Sequence, residues 1–290
     1  MDPTDPARPR PALDEAAPTD RQPVVRAATG FVLLALALSW VPLTLLLVTT
    51  ADPTAGPLSF VLWALGGLGP ALAAIVMARI TYGKAGVRAL LRRLLRWRMG
   101  RWTWLLLAPL PVGLIAVLSV VGTGRASLAT GGTGFLVLVP IMLVGGVLFG
   151  GLEEIGWRGY LQPRLQATIA PAAAAVVVGL VWAVWHAPLF LLAGTTQAEG
   201  SVLWFTLGAV ALSIVFAWAY NASGGNLLLV VLLHGALNGW YSAVVQGLAP
   251  DVLGAGFEVV TAMAATVIAG VLFWRSGPEL GRRPLPATPR

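Results

Sequence analysis

The chain has 290 residues, 57% of them hydrophobic and only 11% charged, with a mean hydropathy of +0.81 and 12 Trp. These values exclude an ordinary soluble domain, in which about 25% of residues are charged, and windows of roughly 20 nearly uncharged residues point to membrane spans. The net charge of +7 does not signal nucleic acid, since the basic residues border apolar segments, and the lack of cysteine removes disulfides, a thiol nucleophile and Cys-based metal sites.

Residues 1–26 are rich in Pro, Asp and Arg without apolar periodicity, and read as a disordered cytoplasmic tail. Mixed charge and the length of the next apolar run exclude a secretory signal. Eight apolar segments follow, at 27–49, 58–80, 102–121, 134–152, 172–194, 201–220, 226–247 and 256–274. Each is near the ~20 residues that cross the hydrocarbon layer. The expected fold is all-α, a transmembrane domain over 27–275 with about eight spans, and residues 276–290 read as a second disordered tail. Four Arg lie in the N-terminal tail, eight Arg or Lys in 79–101, two Arg in 153–171 and four from Arg275 onward, while the alternate connections hold only Arg125. That asymmetry places both termini in the cytoplasm of a multi-pass plasma-membrane protein.

One stretch, KAGVRALLRRLLRWRMG, fits neither a span nor a plain loop. Val87, Leu90, Leu91, Leu94 and Leu95 form a helical stripe, with Arg88, Arg92, Arg93 and Arg96 on the other faces. The pattern predicts an interfacial helix over 84–99 among anionic headgroups on the cytoplasmic side.

Polar residues inside the spans carry the chemistry. Both histidines of the chain, His186 and His234, fall in apolar segments, and GGLEEIGWRGY ends another. An intramembrane ionisable group is costly and by default marks a functional site. Glu154 and Arg158 stand i, i+4 with the acid first, the favourable order for an ion pair. Glu153 points about 100° away and is left as a candidate general base with an imidazole nearby. His234 and Asn238 are also i, i+4 and share a face, as two donors to a developing oxyanion would. No Ser or Cys is positioned as a nucleophile, so water is the expected attacking group. Gly146 and Gly150 have the spacing that lets another helix approach. Pro188 predicts a kink that frees carbonyls beside His186.

In order along the chain, EEIGWR, WAVWH and HGALN give EExxxR, an aromatic residue before His, and HxxxN. Together they resemble the motifs of the CAAX-protease and bacteriocin-processing (Abi) family of intramembrane proteases, and YNASGGNLLLVVLLHGALN is similar to that family's approach to its last motif. The resemblance covers residues 134–247. It implies an intramembrane endopeptidase acting on a membrane-anchored peptide or protein, of CAAX or peptide-maturation type. Glu153 would activate water with His186, Glu154 and Arg158 would support it, and His234 and Asn238 would hold the oxyanion. The family's usual Phe is Trp182 here, an aromatic exchange that bears on pocket shape. Glu153, His186 and His234 are also a set that Zn²⁺ could take. They are spread over three helices without HExxH, so metal dependence stays open, with the metal-free mechanism preferred. The rival readings are a proton-coupled transporter using the same residues as a relay, and a non-catalytic immunity or scaffold protein.

Depth poses a test. Glu153 is expected near the cytoplasmic end of its span, with His234 roughly 12 Å and His186 about 21 Å in from that end. They can meet only if the fifth helix begins in the cytosol, tilts or kinks.

Overall fold

The computed structural model describes residues 22–97, 100, 133–247 and 255–282. Within them the chain is helical and contains no strand. Seven long helices are described: α1 (Gln22–Thr49), α2 (Pro57–Arg92), α3 (Thr133–Phe149), α4 (Pro171–Trp185), α5 (Val202–Ala222), α6 (Leu227–Gly247) and α7 (Ala255–Ser276). Six helical runs are long and apolar enough to cross a membrane, and the shorter apolar helix Leu227–Ala243 makes a seventh. The remaining expected span, 102–121, lies outside the described residues.

Lipid offers no hydrophobic drive for helix association, so close backbone approach must supply packing instead. α1 and α2 pack as a pair, with Leu43 against Gly66 and Ser39 against Gly69. α3 and α6 pack antiparallel through glycines on both sides. A Cβ on Gly239 would stand 2.6 Å from Leu143 Cα, and one on Gly151 would meet Val231 O. Gly146 faces Gly235 and Gly239, while Gly150 faces Asn238, as their spacing predicted. Outward-facing Leu33, Val41, Val48, Ile80 and Val267 are exposed, the pattern of a lipid-facing surface.

The segment after α3 departs from expectation. The polar stretch 153–171 reads in sequence as a cytoplasmic connection, yet the helical run Val139–Leu165 continues through it. It is irregular: a 3₁₀ turn at Gly151–Glu153, an α turn at Glu154–Gly156, a π turn at Trp157–Leu161 and a last α turn at Gln162–Leu165. Residues 153–162 are all buried. Glu153 therefore sits in the middle of its span rather than at its cytoplasmic end. This is tolerable because irregular and polar backbone at membrane depth is buried in protein.

α2 is broken at Gly83, whose φ of 68° and ψ of −161° suit glycine. Beyond the break the basic helix runs on to Arg92 and a 3₁₀ turn at Arg93–Leu95. Arg88, Arg92 and Arg96 are exposed as expected, but Arg93 is buried. Its Nη1 donates to Gly159 O at 3.0 Å, and its Nη2 donates to the Tyr220 hydroxyl. On the apolar stripe, Leu90 is buried and Val87 and Leu94 pack on the core, whereas Leu91 and Leu95 are exposed beside Trp97.

At the chain ends, α1 already begins at Gln22, inside the expected N-terminal tail, whose residues 1–21 lie outside the described residues. Residues 277–282, expected in a disordered tail, are packed: Leu280 is fully buried, and Arg282 Nη1 donates to Gln166 O at 2.8 Å.

Candidate active site

α4 ends at Trp185 instead of kinking, and Pro188 falls in the 3₁₀ turn Ala187–Leu191 that follows. Two Trp side chains pin this end to α1. Trp185 Nε1 donates to Ser39 Oγ at 2.6 Å, and Trp40 Nε1 donates to Trp185 O at 3.0 Å. His186 thus caps a fixed helix end.

The depth difficulty dissolves once the span of Glu153 is placed correctly. Glu153 is roughly 18 Å from Leu165, and His186 about 22 Å from Pro171, which follows Leu165 after a short turn. α6 begins beside Gly159, against which Leu227 packs, roughly 9 Å in from Leu165, and His234 lies about 11 Å further along. All three side chains reach one level, and no tilt or extension of α4 into the cytosol is needed.

Their geometry is specific. Glu153 is 4% exposed, and its Oε2 accepts from two indoles, Trp182 Nε1 at 2.7 Å and Trp157 Nε1 at 3.2 Å. Among the described residues it has no ion pair. Glu154 and Arg158 are wholly buried, and Arg158 Nη1 donates to Glu154 Oε1 at 3.0 Å, the pair read from their spacing. Arg158 Nη2 also donates to Ser213 O and Oγ, at 3.0 and 2.8 Å, and Ser213 Oγ donates to Ala175 O at 2.7 Å. The pair is thereby fastened to α4 and α5. Glu154 Oε2 and Arg158 Nε are buried without a hydrogen-bond partner among the described residues, so these bonds offset the desolvation of the pair only in part.

His234 Nδ1 lies 2.9 Å from Glu154 Oε1, and His186 Nδ1 lies 2.8 Å from Trp182 O. Both partners are acceptors, so both Nδ1 atoms carry hydrogen, and each Nε2 is left for another partner. The Trp182 ring is the hub of the site, 5.5 Å from the His186 ring and 5.2 Å from that of His234. Phe205 and Phe216 close the far sides of the two imidazoles.

Glu153, Trp182, His186, His234 and Asn238 all line one cavity of about 1520 Å³. Asn238 is exposed to it, and its side chain lies against Gly150. Glu154 and Arg158 stay behind this wall. Three contributors escaped the sequence reading. Trp157 was legible, standing four residues from Glu153, but Ser213 and Arg93 gave no signal, since their partners come from other helices.

Among the described residues no three His, Asp or Glu side chains stand close enough together to hold a metal ion. Of the set offered to Zn²⁺, Glu153 Oε2 accepts from two indoles and both imidazole Nδ1 atoms are engaged, which leaves Glu153 Oε1 and the two Nε2 atoms as the donor atoms for other partners.

Fold and site together define a polytopic helical membrane protein with a buried carboxylate–imidazole centre. Residues 133–240 match the family described as Type II CAAX prenyl endopeptidase, Rce1-like. A CAAX prenyl protease 2 from Methanococcus maripaludis is 28% identical over 142 residues, 46% of this chain and 52% of that protein. Lysostaphin resistance protein A from Staphylococcus haemolyticus is 24% identical over 131 residues, 45% of this chain and 34% of that protein. The chain thus spans about half the length of the first relative and about a third of the second. Residues 133–240 are similar to the CAAX-protease family, the resemblance that the three motifs carry.

Proposed function

We propose that the chain is an intramembrane endopeptidase in which Glu153 activates water. The observation that carries this reading is the state of Glu153: a buried carboxylate with both indole donors on Oε2, at a cavity shared with two imidazoles and an amide. Oε1 is left to take a proton. A water between Glu153 Oε1 and His186 Nε2 gives a proton to Glu153, and its oxygen attacks the peptide carbonyl carbon. The charge that develops on the carbonyl oxygen is met by Asn238 Nδ2–H and His234 Nε2–H. His234 carries that second hydrogen only as the imidazolium, which then sits in a charge-assisted pair with Glu154. The C–N bond breaks as Glu153 returns the proton to the leaving nitrogen. Glu154, Arg158 and Ser213 hold His234 in place. No metal takes part in these steps. The similarity to a CAAX prenyl protease supports the reaction type.

The test is cleavage of membrane-anchored peptides, farnesylated ones included, by the purified protein in liposomes. Glu153→Gln and Asn238→Ala abolish or sharply reduce cleavage, and a chelator leaves it intact. Wild-type activity in Glu153→Gln overturns the mechanism, and loss with chelator reversed by Zn²⁺ overturns its metal-free form.

A further inference from the structure

Pro163 lies inside the span that carries the carboxylates, just past the π turn Trp157–Leu161. A proline in a helix offers no N–H to the carbonyl four residues back, and its ring crowds that carbonyl. Here the carbonyl is that of Gly159, so its ordinary helical donor is missing by sequence alone. The donor it does receive comes from 66 residues away, Arg93 Nη1 at 3.0 Å. Both partners are shaped for the approach. A Cβ on Gly159 would stand 3.0 Å from Leu90 Cδ1, and Leu90 and Arg93 share the buried face of the basic helix.

Arg93 is held in turn. Its Nη2 donates to the Tyr220 hydroxyl, and its Cζ lies over the Tyr220 ring, 5.5 Å from the centroid. Tyr220 belongs to α5, as does Ser213, which accepts from Arg158. α5 therefore grips two successive residues of the π turn, Arg158 directly and Gly159 through Arg93. None of Arg93, Gly159 and Tyr220 lines the cavity, so their effect on the reaction passes through the span.

A π turn carries one extra residue. It can pass along a helix by exchanging adjacent bonds unless a carbonyl within it is fixed from outside, and each residue it passes is turned by about 100°. The short α and 3₁₀ turns between it and Gly150 offer few regular bonds to stop it. We infer that Arg93 is a positioning residue for the reaction: it donates to the carbonyl that Pro163 leaves without a helical donor, and so holds Glu153 on its indoles and Glu154 on His234. The site thus depends on the basic helix through one buried arginine, not through the exposed Arg88, Arg92 and Arg96. The word reaction rests on the protease reading, whereas the phase of the span does not.

The test uses the two histidines of the chain. Selective nitrogen labelling of histidine gives two rings by NMR, whose Nδ1 atoms report separate partners: Glu154 Oε1 for His234, and Trp182 O on α4 for His186. In micelles, Arg93→Met is expected to move the His234 Nδ1 resonance and leave that of His186 in place. Cleavage of anchored peptides is expected to show kcat lowered by about tenfold or more, the usual scale for a misplaced reacting group, with KM unchanged. Arg93→Lys keeps a donor and is expected to restore most of both readouts, while Arg92→Ala changes neither. Pro163→Ala returns an N–H to Gly159 O, so adding it to Arg93→Met is expected to recover part of the shift and of the rate. Tyr220→Phe removes only the hydroxyl, and is expected to displace the same resonance by less. The inference is overturned by an unmoved His234 resonance in folded Arg93→Met or, if that variant does not fold, in Tyr220→Phe. Equal movement of both rings overturns it too, as do losses from Arg93→Met and Pro163→Ala that simply multiply. The expected His234 shift in a protein whose wild type cleaves no anchored peptide upholds the positioning and refutes the protease reading.

Discussion

Arg158→Met removes the cation from the most deeply buried charge pair while nearly preserving volume. Arg158 and Glu154 are both fully buried at 3.0 Å, so the substitution strands a carboxylate with His234 as its remaining partner. Breaking a buried pair from one side costs about 3–5 kcal/mol, or at least a hundredfold in the folded-to-unfolded ratio. The two bonds from Nη2 to Ser213 are lost as well. Combining it with Glu154→Gln removes the stranded charge, while the amide oxygen still accepts from His234 Nδ1. The double variant should return to within ~1–2 kcal/mol of wild type, because neutral replacement of a buried pair is often nearly free. Unfolding by SDS titration in mixed micelles, read as a double-mutant cycle, gives both quantities. A loss under ~1 kcal/mol for Arg158→Met alone, or strict additivity of the two changes, would refute the argument that charge burial governs this cluster.

Three further outcomes follow from the same geometry. Glu153→Gln should lower the cleavage rate by about 10²–10⁴-fold, the usual worth of a general base, without lowering stability in the SDS titration, since it removes a buried charge. Trp182→Phe keeps the ring between the two imidazoles but deletes the 2.7 Å bond to Glu153; a hydrogen bond to a charged group is worth ~1.5–3 kcal/mol, and the same titration should show a loss of that size. Gly239→Val drives a side chain into the backbone of Met142 and Leu143, at 2.7 and 2.6 Å from the new Cβ, and should cost ~1–3 kcal/mol or more. Gly145→Ala, which meets nothing within 4 Å, should be silent.

Local spacing made much of the site legible. The Glu154–Arg158 pair, the shared face of His234 and Asn238 and the close approach at Gly146 all follow from helical geometry that needs no knowledge of neighbours. Depth was not legible, for a physical reason. Hydropathy counts Glu153, Glu154, Arg158, Gln162 and Arg164 as individually costly, and so ends the span before them. In the fold much of that cost is cancelled by partners on other helices: Trp182 for Glu153, His234 for Glu154 and Ser213 for Arg158. The same blindness put Arg93 on a solvated face, since the Gly159 carbonyl it serves is 66 residues away.

The π turn at Trp157–Leu161 makes the site sensitive to counting as well as to chemistry. A π turn holds one residue more than the α turn it replaces, so removing a residue there would leave an ordinary, well-bonded helix. The two halves of the span would nevertheless rotate against each other by about 100°. With the half toward Leu165 anchored through Gly159 and Tyr160, the rotation would fall on Glu153 and Glu154, swinging one off its indoles and the other off His234. A deletion that retained every residue of the three motifs would thus erase the centre by phase alone.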